Sequence, residues 1–168
     1  MTPKVSIIMG STSDLPVLEK AAAFLDEMEI PFEMNALSAH RTPEMVEKFA
    51  REAEFRGIRV IIAAAGMAAA LPGVIAANTV LPVIGVPVKG LLDGLDAMFS
   101  IIQMPPGIPV ATVGVNAALN AAILAAQILA QSDKEIARKV ADYKEGLKNK
   151  IVKANEELKQ VQFKFKVD

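Results

Sequence analysis

Apolar residues are grouped along the chain into short runs that end on glycine, proline or a small-residue loop. Val5 to Met9 closes on Gly10, Val60 to Ala65 runs into a small-residue loop, and Val83 to Val88 has Pro82 and Pro87 marking its ends. Runs of this kind read as strands buried on both faces of a sheet. Between them the period changes: from Asp14 onward Leu15, Leu18, Ala22, Leu25 and Met28 recur at helical spacing. Phe32 to Leu37 reads as the second strand. Thr42 is placed as an N-cap with Pro43 at the first helical position and Glu44 near the positive end of the dipole, so a helix runs to about Phe55 and stops at Gly57.

The second half repeats the alternation. A short helix is expected around Gly73 to Asn78, a helix over Asp93 to Gln103, an extended loop through Met104-Pro105-Pro106-Gly107-Ile108-Pro109, and a fifth strand over Val110 to Val115. Strands joined by helical crossovers imply an α/β fold, a three-layer parallel sheet. Asn116 to Ala130 is an alanine-rich helix apolar nearly all round, which asks for burial on both sides. From Asp133 to about Gln160 a long amphipathic helix carries Ile136, Val140, Tyr143, Leu147, Ile151 and Leu158 on one stripe. The tail Val161, Phe163, Phe165 and Val167 alternates like an edge strand. Residues 1–132 are thus expected to form the catalytic α/β unit, with 133–168 either covering it or serving as an arm in an oligomer.

Composition narrows the function classes. At 168 residues the chain is near single-domain length, and its 52% hydrophobic content exceeds what one small domain hides, which points to a homo-oligomer. A net charge of −1 gives no basic field for nucleic acid or an anionic membrane. No apolar run reaches the ~20 residues of a membrane helix, and the N-terminus lacks signal-peptide features, so a cytoplasmic location is expected. There is no cysteine, which removes disulfides and thiolate metal sites.

His40 is the only histidine in the chain, and it sits in Ser38-Ala39-His40-Arg41-Thr42-Pro43. An imidazole titrates near neutral pH and can both give and take a proton. A lone histidine beside a helix start is also an ordinary surface residue, but the loops that follow the first three strands weigh against that reading here. Gly10-Ser11-Thr12-Ser13-Asp14 offers backbone N–H groups and hydroxyls at a helix start, which suit a phosphate or an ordinary cap. Arg41 can grip a phosphate through paired charge-assisted bonds. The third loop, Ala64 to Gly73, is nearly free of side chains: either close helix–strand packing, or bare backbone against which a flat ring can lie. Asp14 suits ribose hydroxyls. Together the loops suggest a phosphorylated ribose with a ring beyond it. One histidine and scattered carboxylates offer no metal-ligand cluster, and neither a nucleoside-triphosphate motif nor a serine-hydrolase elbow is present.

Gly10-Ser-Thr-Ser-Asp14, Ser38-Ala-His-Arg-Thr-Pro43, Ala65-Gly66, Leu71-Pro72-Gly73, Val86-Pro87-Val88 and the segment Gln103 to Thr112 closely resemble the PurE family of purine biosynthesis, over about Val5 to Ala130. The resemblance implies a flavodoxin-like subunit, assembly into octamers, and no cofactor. It also implies a mutase that moves a carboxylate from the exocyclic amine of N5-carboxyaminoimidazole ribonucleotide to ring carbon C4. On these positions Ser11, Ser13 and Arg41 resemble the phosphate site and Asp14 the ribose ligand. Ser38 and His40 resemble the residues beside the imidazole, with His40 the general acid and base, and Ala65, Gly66 and Leu71 line the substrate. The chain departs from the pattern in its third loop, where many bacterial mutases have glycines in place of Ala64 and Met67 and a second histidine in place of Ala70. The family's other branch, a direct carboxylase of aminoimidazole ribonucleotide, also lacks that histidine. A non-catalytic nucleotide-binding protein is the remaining alternative.

Overall fold

The computed structural model describes residues 1–167. Its elements are β1 (Val5–Met9), α1 (Leu15–Glu27), β2 (Phe32–Ala36), α2 (Pro43–Glu52), β3 (Val60–Ala65), α3 (Leu71–Ala77), β4 (Val83–Pro87), α4 (Leu95–Ile102), β5 (Ala111–Thr112), α5 (Ala118–Leu129) and α6 (Lys134–Lys159), with a single 3-10 turn at Thr12–Asp14. The sheet is parallel throughout with the order β2-β1-β3-β4-β5, the flavodoxin-like winding in which the chain reverses direction across the sheet between β1 and β3.

Alternation along each central strand divides the core in two. Val5, Ile7 and Met9 of β1, Val60, Ile62 and Ala64 of β3, and Ile84 and Val86 of β4 join one apolar cluster with α1, α5 and the start of α6. Ile8, Ile61, Ala63, Ala65 and Val83 point the other way, into a cluster with α2, α3 and α4. Burial on both faces explains why these strands read as nearly unbroken apolar runs. The one buried polar residue named in that core, Ser6, is satisfied: its hydroxyl donates to Glu33 Oε1 at 2.9 Å. Glu33 lies opposite Ser6 in the β1–β2 register and also takes two 2.9 Å bonds from Arg56, whose guanidinium stacks 5.0 Å from the Phe49 ring. This network ties edge strand β2 to β1 and to the turn after α2.

Several boundaries differ from the sequence reading, each for a local reason. β2 ends at Ala36, one residue short, although the Leu37 N–H still reaches the Met9 carbonyl of β1 at 2.9 Å. α2 ends at Glu52, and the reversal at Gly57 comes after a turn, with Gly57 at φ +94 where a side chain is disfavoured. α3 begins at Leu71, two residues before Gly73. α4 begins at Leu95 instead of Asp93, since Leu92, Asp93 and Gly94 all hold positive φ. β5 is only Ala111–Thr112, not Val110 to Val115. The Val88 N–H goes to Ala65 on β3, so its neighbour Pro87 faces β5, where it has no N–H to extend the ladder.

α5 buries Ala118, Ala121, Ala122, Ala125, Ala126 and Leu129, letting it lie close against α1, while Leu119 and Ile123 are left partly exposed. α6 is opened by Asp133, whose carboxylate accepts from the Glu135 and Ile136 N–H groups at 3.1 and 3.2 Å and from Lys4 Nζ at 2.9 Å. The Lys4 contact, ahead of the Ile136 N–H, holds the Asp133 carboxyl below the usual carboxylate range. Only the first turns of the helix are anchored: Ile136 and Val140 are buried and Tyr143 meets Phe24 edge-on at 5.1 Å. Leu147, Ile151 and Leu158 on the same stripe are exposed. The tail forms no strand among the described residues, contrary to its alternating pattern, and Phe163 and Phe165 are exposed. An alternating segment becomes a strand only when a neighbour supplies its hydrogen bonds, and none lies beside it. Among the described residues, no helix is long and apolar enough to cross a membrane.

Candidate active site

The loops that follow β1, β2 and β3 meet at the carboxyl end of the sheet, at the switch point of the winding, where open parallel sheets bind ligands. They enclose a cleft of about 450 Å³ lined by residues of Gly10–Asp14, Ser38–Arg41 and Ala65–Leu71. Every site residue expected from the sequence lies on it: Ser11, Ser13, Asp14, Ser38, His40, Arg41, Ala65, Gly66 and Leu71. A larger groove of about 960 Å³ opens elsewhere, beside Pro82 and Val83 at the amino end of β4, and contains none of these residues.

In the first loop the hydroxyls are partly committed. Ser11 caps the 3-10 turn, its Oγ accepting the Ser13 N–H at 3.3 Å, so the ordinary capping role is realised there. Asp14 stands at the N-cap position of α1 without making a side-chain capping bond. Its carboxylate lies on the cleft, with the Ser13 hydroxyl 3.5 Å from Oδ1. Burial pushes its pKa up, against the backbone N–H groups of Ser11 and Gly10 and the Ser13 hydroxyl, which favour the charged form.

The second loop is organised by a residue whose part is different from the one expected. Thr42 occupies the N-cap position of α2 but makes no side-chain capping bond. Its hydroxyl turns back instead, accepting the Ser38 N–H at 3.0 Å and donating to the Ser38 carbonyl at 3.1 Å. The Thr42 N–H donates to that same carbonyl at 2.8 Å. These bonds close a ring on which Ala39, His40 and Arg41 are displayed. Arg41 adds its own N–H and its Nε to Ser38 Oγ, at 3.2 Å each, and Nη2 to the Gly10 carbonyl at 2.9 Å. The guanidinium thus staples the second loop to the first, and still has both Nη1 hydrogens and one on Nη2 for a ligand. His40 is exposed at the cleft rim.

The third loop supplies shape. Ala65 and Leu71 are buried, Gly66 is half-buried, and a Cβ on Gly66 would come 3.5 Å from the Val88 carbonyl, so glycine sits against β4 without crowding it. Ala70 opens α3, its carbonyl accepting the Val74 N–H at 3.0 Å, and presents only a methyl group to the cleft. The Gly10 carbonyl and the Thr42 hydroxyl were not singled out from sequence. Thr42 acts through bonds to Ser38 four residues back and Gly10 through a bond from Arg41 on another loop, neither of which residue type alone reveals.

A cleft with one imidazole, one guanidinium, one carboxylate and a floor of bare backbone suits a small phosphorylated nucleoside better than a polymer. The protein-family model described as AIR carboxylase matches residues 4–150. The chain belongs to the AIR carboxylase family. Among AIR carboxylase relatives, an N5-carboxyaminoimidazole ribonucleotide mutase of Thermotoga maritima is 56% identical over 163 residues, covering 96% of this chain and 95% of the relative. A phosphoribosylaminoimidazole carboxylase of Schizosaccharomyces pombe is 49% identical over 164 residues, but this chain spans only 30% of its length. The crystal structure of Treponema denticola PurE superposes with a TM-score of 0.85 at 36% identity, over 94% of this chain and 99% of that one. The flavodoxin-like fold and the family resemblance read from the loops are both borne out.

Proposed function

We propose that this chain is an N5-carboxyaminoimidazole ribonucleotide mutase of purine biosynthesis, producing 4-carboxy-5-aminoimidazole ribonucleotide. The observation that carries this reading is the single cleft in which His40, Arg41 and Asp14 face the side-chain-poor backbone of Ala65 to Leu71. Near-full-length similarity to a mutase, against a partial match to a larger carboxylase, supports the same choice. Arg41, with Ser11 and Ser13, takes the phosphate. Asp14 accepts from the ribose hydroxyls, and the imidazole lies between Ser38, His40 and the third loop.

In the reaction the carbamate N–C bond breaks, its electron pair stays on nitrogen, and that nitrogen receives a proton from His40. Carbon dioxide is freed within the cleft. C4 of the electron-rich ring then attacks it, the new C–C bond forms, and the C4 proton returns to His40. The imidazole ends as it began, so one group serves as acid and then base with no cofactor in the balance. The protein contributes positioning, exclusion of water and about 10²–10⁴-fold from proton transfer.

The protein acts in the cytoplasm as a homo-oligomer, an octamer by family resemblance. α5 with its exposed Leu119, and the C-terminal arm of residues 133–168, supply the contacts. The deciding experiment is a substrate-choice assay with and without added bicarbonate. Conversion of the carboxyamino substrate without bicarbonate is expected. Consumption of aminoimidazole ribonucleotide in proportion to carbon dioxide, with the carboxyamino substrate ignored, would replace the mutase by the direct carboxylase.

A further inference from the structure

β2 is the outer strand of the sheet, with β1 as its one partner. Its odd-numbered positions face that partner: the Pro31 carbonyl accepts the Lys4 N–H at 2.8 Å, and the Leu37 N–H donates to the Met9 carbonyl at 2.9 Å. Bonding direction alternates along a strand, so Phe32, Met34 and Ala36 turn their N–H and C=O groups to the free edge. Such an edge is a template for another strand unless something covers it. Every residue of β2 is half-buried or exposed, and among the described residues no strand lies beyond it.

At the amino end of β2 the edge runs into a groove of about 590 Å³, where Ile30, Pro31 and Phe32 supply apolar surface and Asp26, Glu29 and Glu33 supply carboxylates. Lys139 and Arg56 answer Glu29 and Glu33, while Asp26 makes no ion pair among the described residues. The tail carries the matching features. Val161, Phe163, Phe165 and Val167 alternate with Gln162, Lys164 and Lys166, and residues 158–167 hold three lysines and no acid. The same division runs through the chain: residues 1–133 carry thirteen acidic and eight basic side chains, residues 134–168 six and ten. Phe163 and Phe165 are 73% and 86% exposed, so their own subunit does not cover them.

α6 decides whose edge the tail reaches. The helix passes the turn that leads into β2, where Lys139 Nζ donates to the Met28 carbonyl at 3.1 Å, and from residue 144 onward every residue of it is exposed. It runs unbroken to Lys159, so at 1.5 Å per residue the tail starts about 24 Å beyond Tyr143. Seven extended residues span about 24 Å, and a tail that doubled back would be used up on the return, with nothing left to pair along its own β2. Arm and edge lie on the same side of the subunit. Two copies related by a two-fold axis there exchange tails reciprocally.

We propose that the tail 161–167 of one copy adds as a sixth strand to the β2 edge of a second copy, its lysines toward the groove that holds Asp26. Main-chain hydrogen bonds supply the pairing, and the alternating apolar and basic side chains select this edge. A strand edge without a neighbour and a strand-like tail without a partner satisfy each other. This pairing rests on the homo-oligomer reading above and is independent of the reaction.

The test compares deuterium uptake of residues 32–36, read by mass spectrometry, in the full-length wild type and in Phe163→Pro/Lys164→Pro, with particle mass from light scattering. Two successive prolines remove an N–H from each alternating set, which blocks pairing in either register. The proline variant is expected to exchange these amides about tenfold faster than wild type, with β1, α5 and the particle mass unchanged. Lys164→Glu/Lys166→Glu keeps every N–H but reverses the charge, and should give about a threefold rise. Fast exchange of 32–36 in an oligomeric wild type, or no acceleration in the proline variant, overturns the pairing and leaves the oligomer standing. A wild type of monomer mass overturns both, and protection of 32–36 in that monomer would assign the edge to the chain's own tail. Acceleration spread over β1 and α5 also overturns the pairing, since the tail would then act on the whole fold.

Discussion

The second and third loops sit side by side at the carboxyl end of the sheet and do opposite things. Ser38 to Thr42 is dense in hydrogen-bonding side chains, and nearly all of them bond within the loop or to Gly10. Gly66 to Ala70 has no polar side chain at all, and offers backbone, methyl groups and the Met67 thioether. One loop holds charge in place; the other leaves room. In the proposed mechanism, proton chemistry depends on a side chain presented from a clamped turn, whereas ring recognition depends on a floor with few side chains. Substitutions in the first should change rate or affinity sharply, and those in the second should change fit.

The largest effect is expected at His40. His40→Ala should lower kcat by about 10³-fold or more while nucleotide Kd, measured by calorimetry, stays within about tenfold, because the phosphate and ribose contacts lie elsewhere. More than a tenth of wild-type activity remaining would remove His40 from the proton path. Next comes Arg41→Ala, which loses a charge-assisted phosphate contact and the staple to Gly10. Affinity should fall about 10- to 100-fold, and equal binding of nucleotide and dephosphorylated nucleoside by the wild type would show the phosphate site to be misplaced.

Thr42 tests whether the clamp itself matters. Thr42→Val keeps the shape but removes the hydroxyl that both accepts from and donates to Ser38, and should lower kcat about tenfold with KM little changed. Thr42→Ser should restore it. Loss of thermal stability with unchanged kcat in the folded fraction would confine Thr42 to folding. From the third loop, Ala70→His should change the rate by only about threefold without altering substrate choice, since its neighbours act through backbone.

The smallest and most diagnostic effect concerns Asp14. Burial raises its folded pKa, so the protonated form is favoured in the folded state. That preference stabilises the protein below the unfolded carboxylate pKa and is lost as pH rises through the raised folded pKa. Asp14→Asn should accordingly raise the thermal midpoint at pH 7, the gain vanishing at acid pH, while nucleotide binding weakens. A variant less stable than wild type at pH 7 would mean that the Ser11 and Gly10 N–H groups outweigh the burial.

Much of the site was legible because its signals are local. Gly10 to Asp14, Ser38 to Arg41 and Ala65 to Leu71 each follow a strand that announces itself by an apolar run, and a parallel winding carries all three to one end. Thr42 stands at the N-cap position its Thr-Pro pattern indicates, but the partner its hydroxyl takes, the Ser38 backbone four residues back, is not visible in that pattern. The tail was misread because Val161, Phe163, Phe165 and Val167 satisfy a strand's periodicity without having a strand to pair with.

The sequence by itself determined the α/β alternation, the two-sided burial of β1, β3 and β4, and the residue types available for chemistry, since periodicity and side-chain chemistry are properties of short segments. Only the tertiary structure decided that β5 would stop after Thr112 opposite Gly85, that α6 would leave the body beyond Tyr143, and that Arg41 would reach across to Gly10. Those outcomes turn on which backbone groups face one another across the fold. A hydrogen bond needs its partner at about 3 Å, and that distance is set by packing rather than by the order of residues.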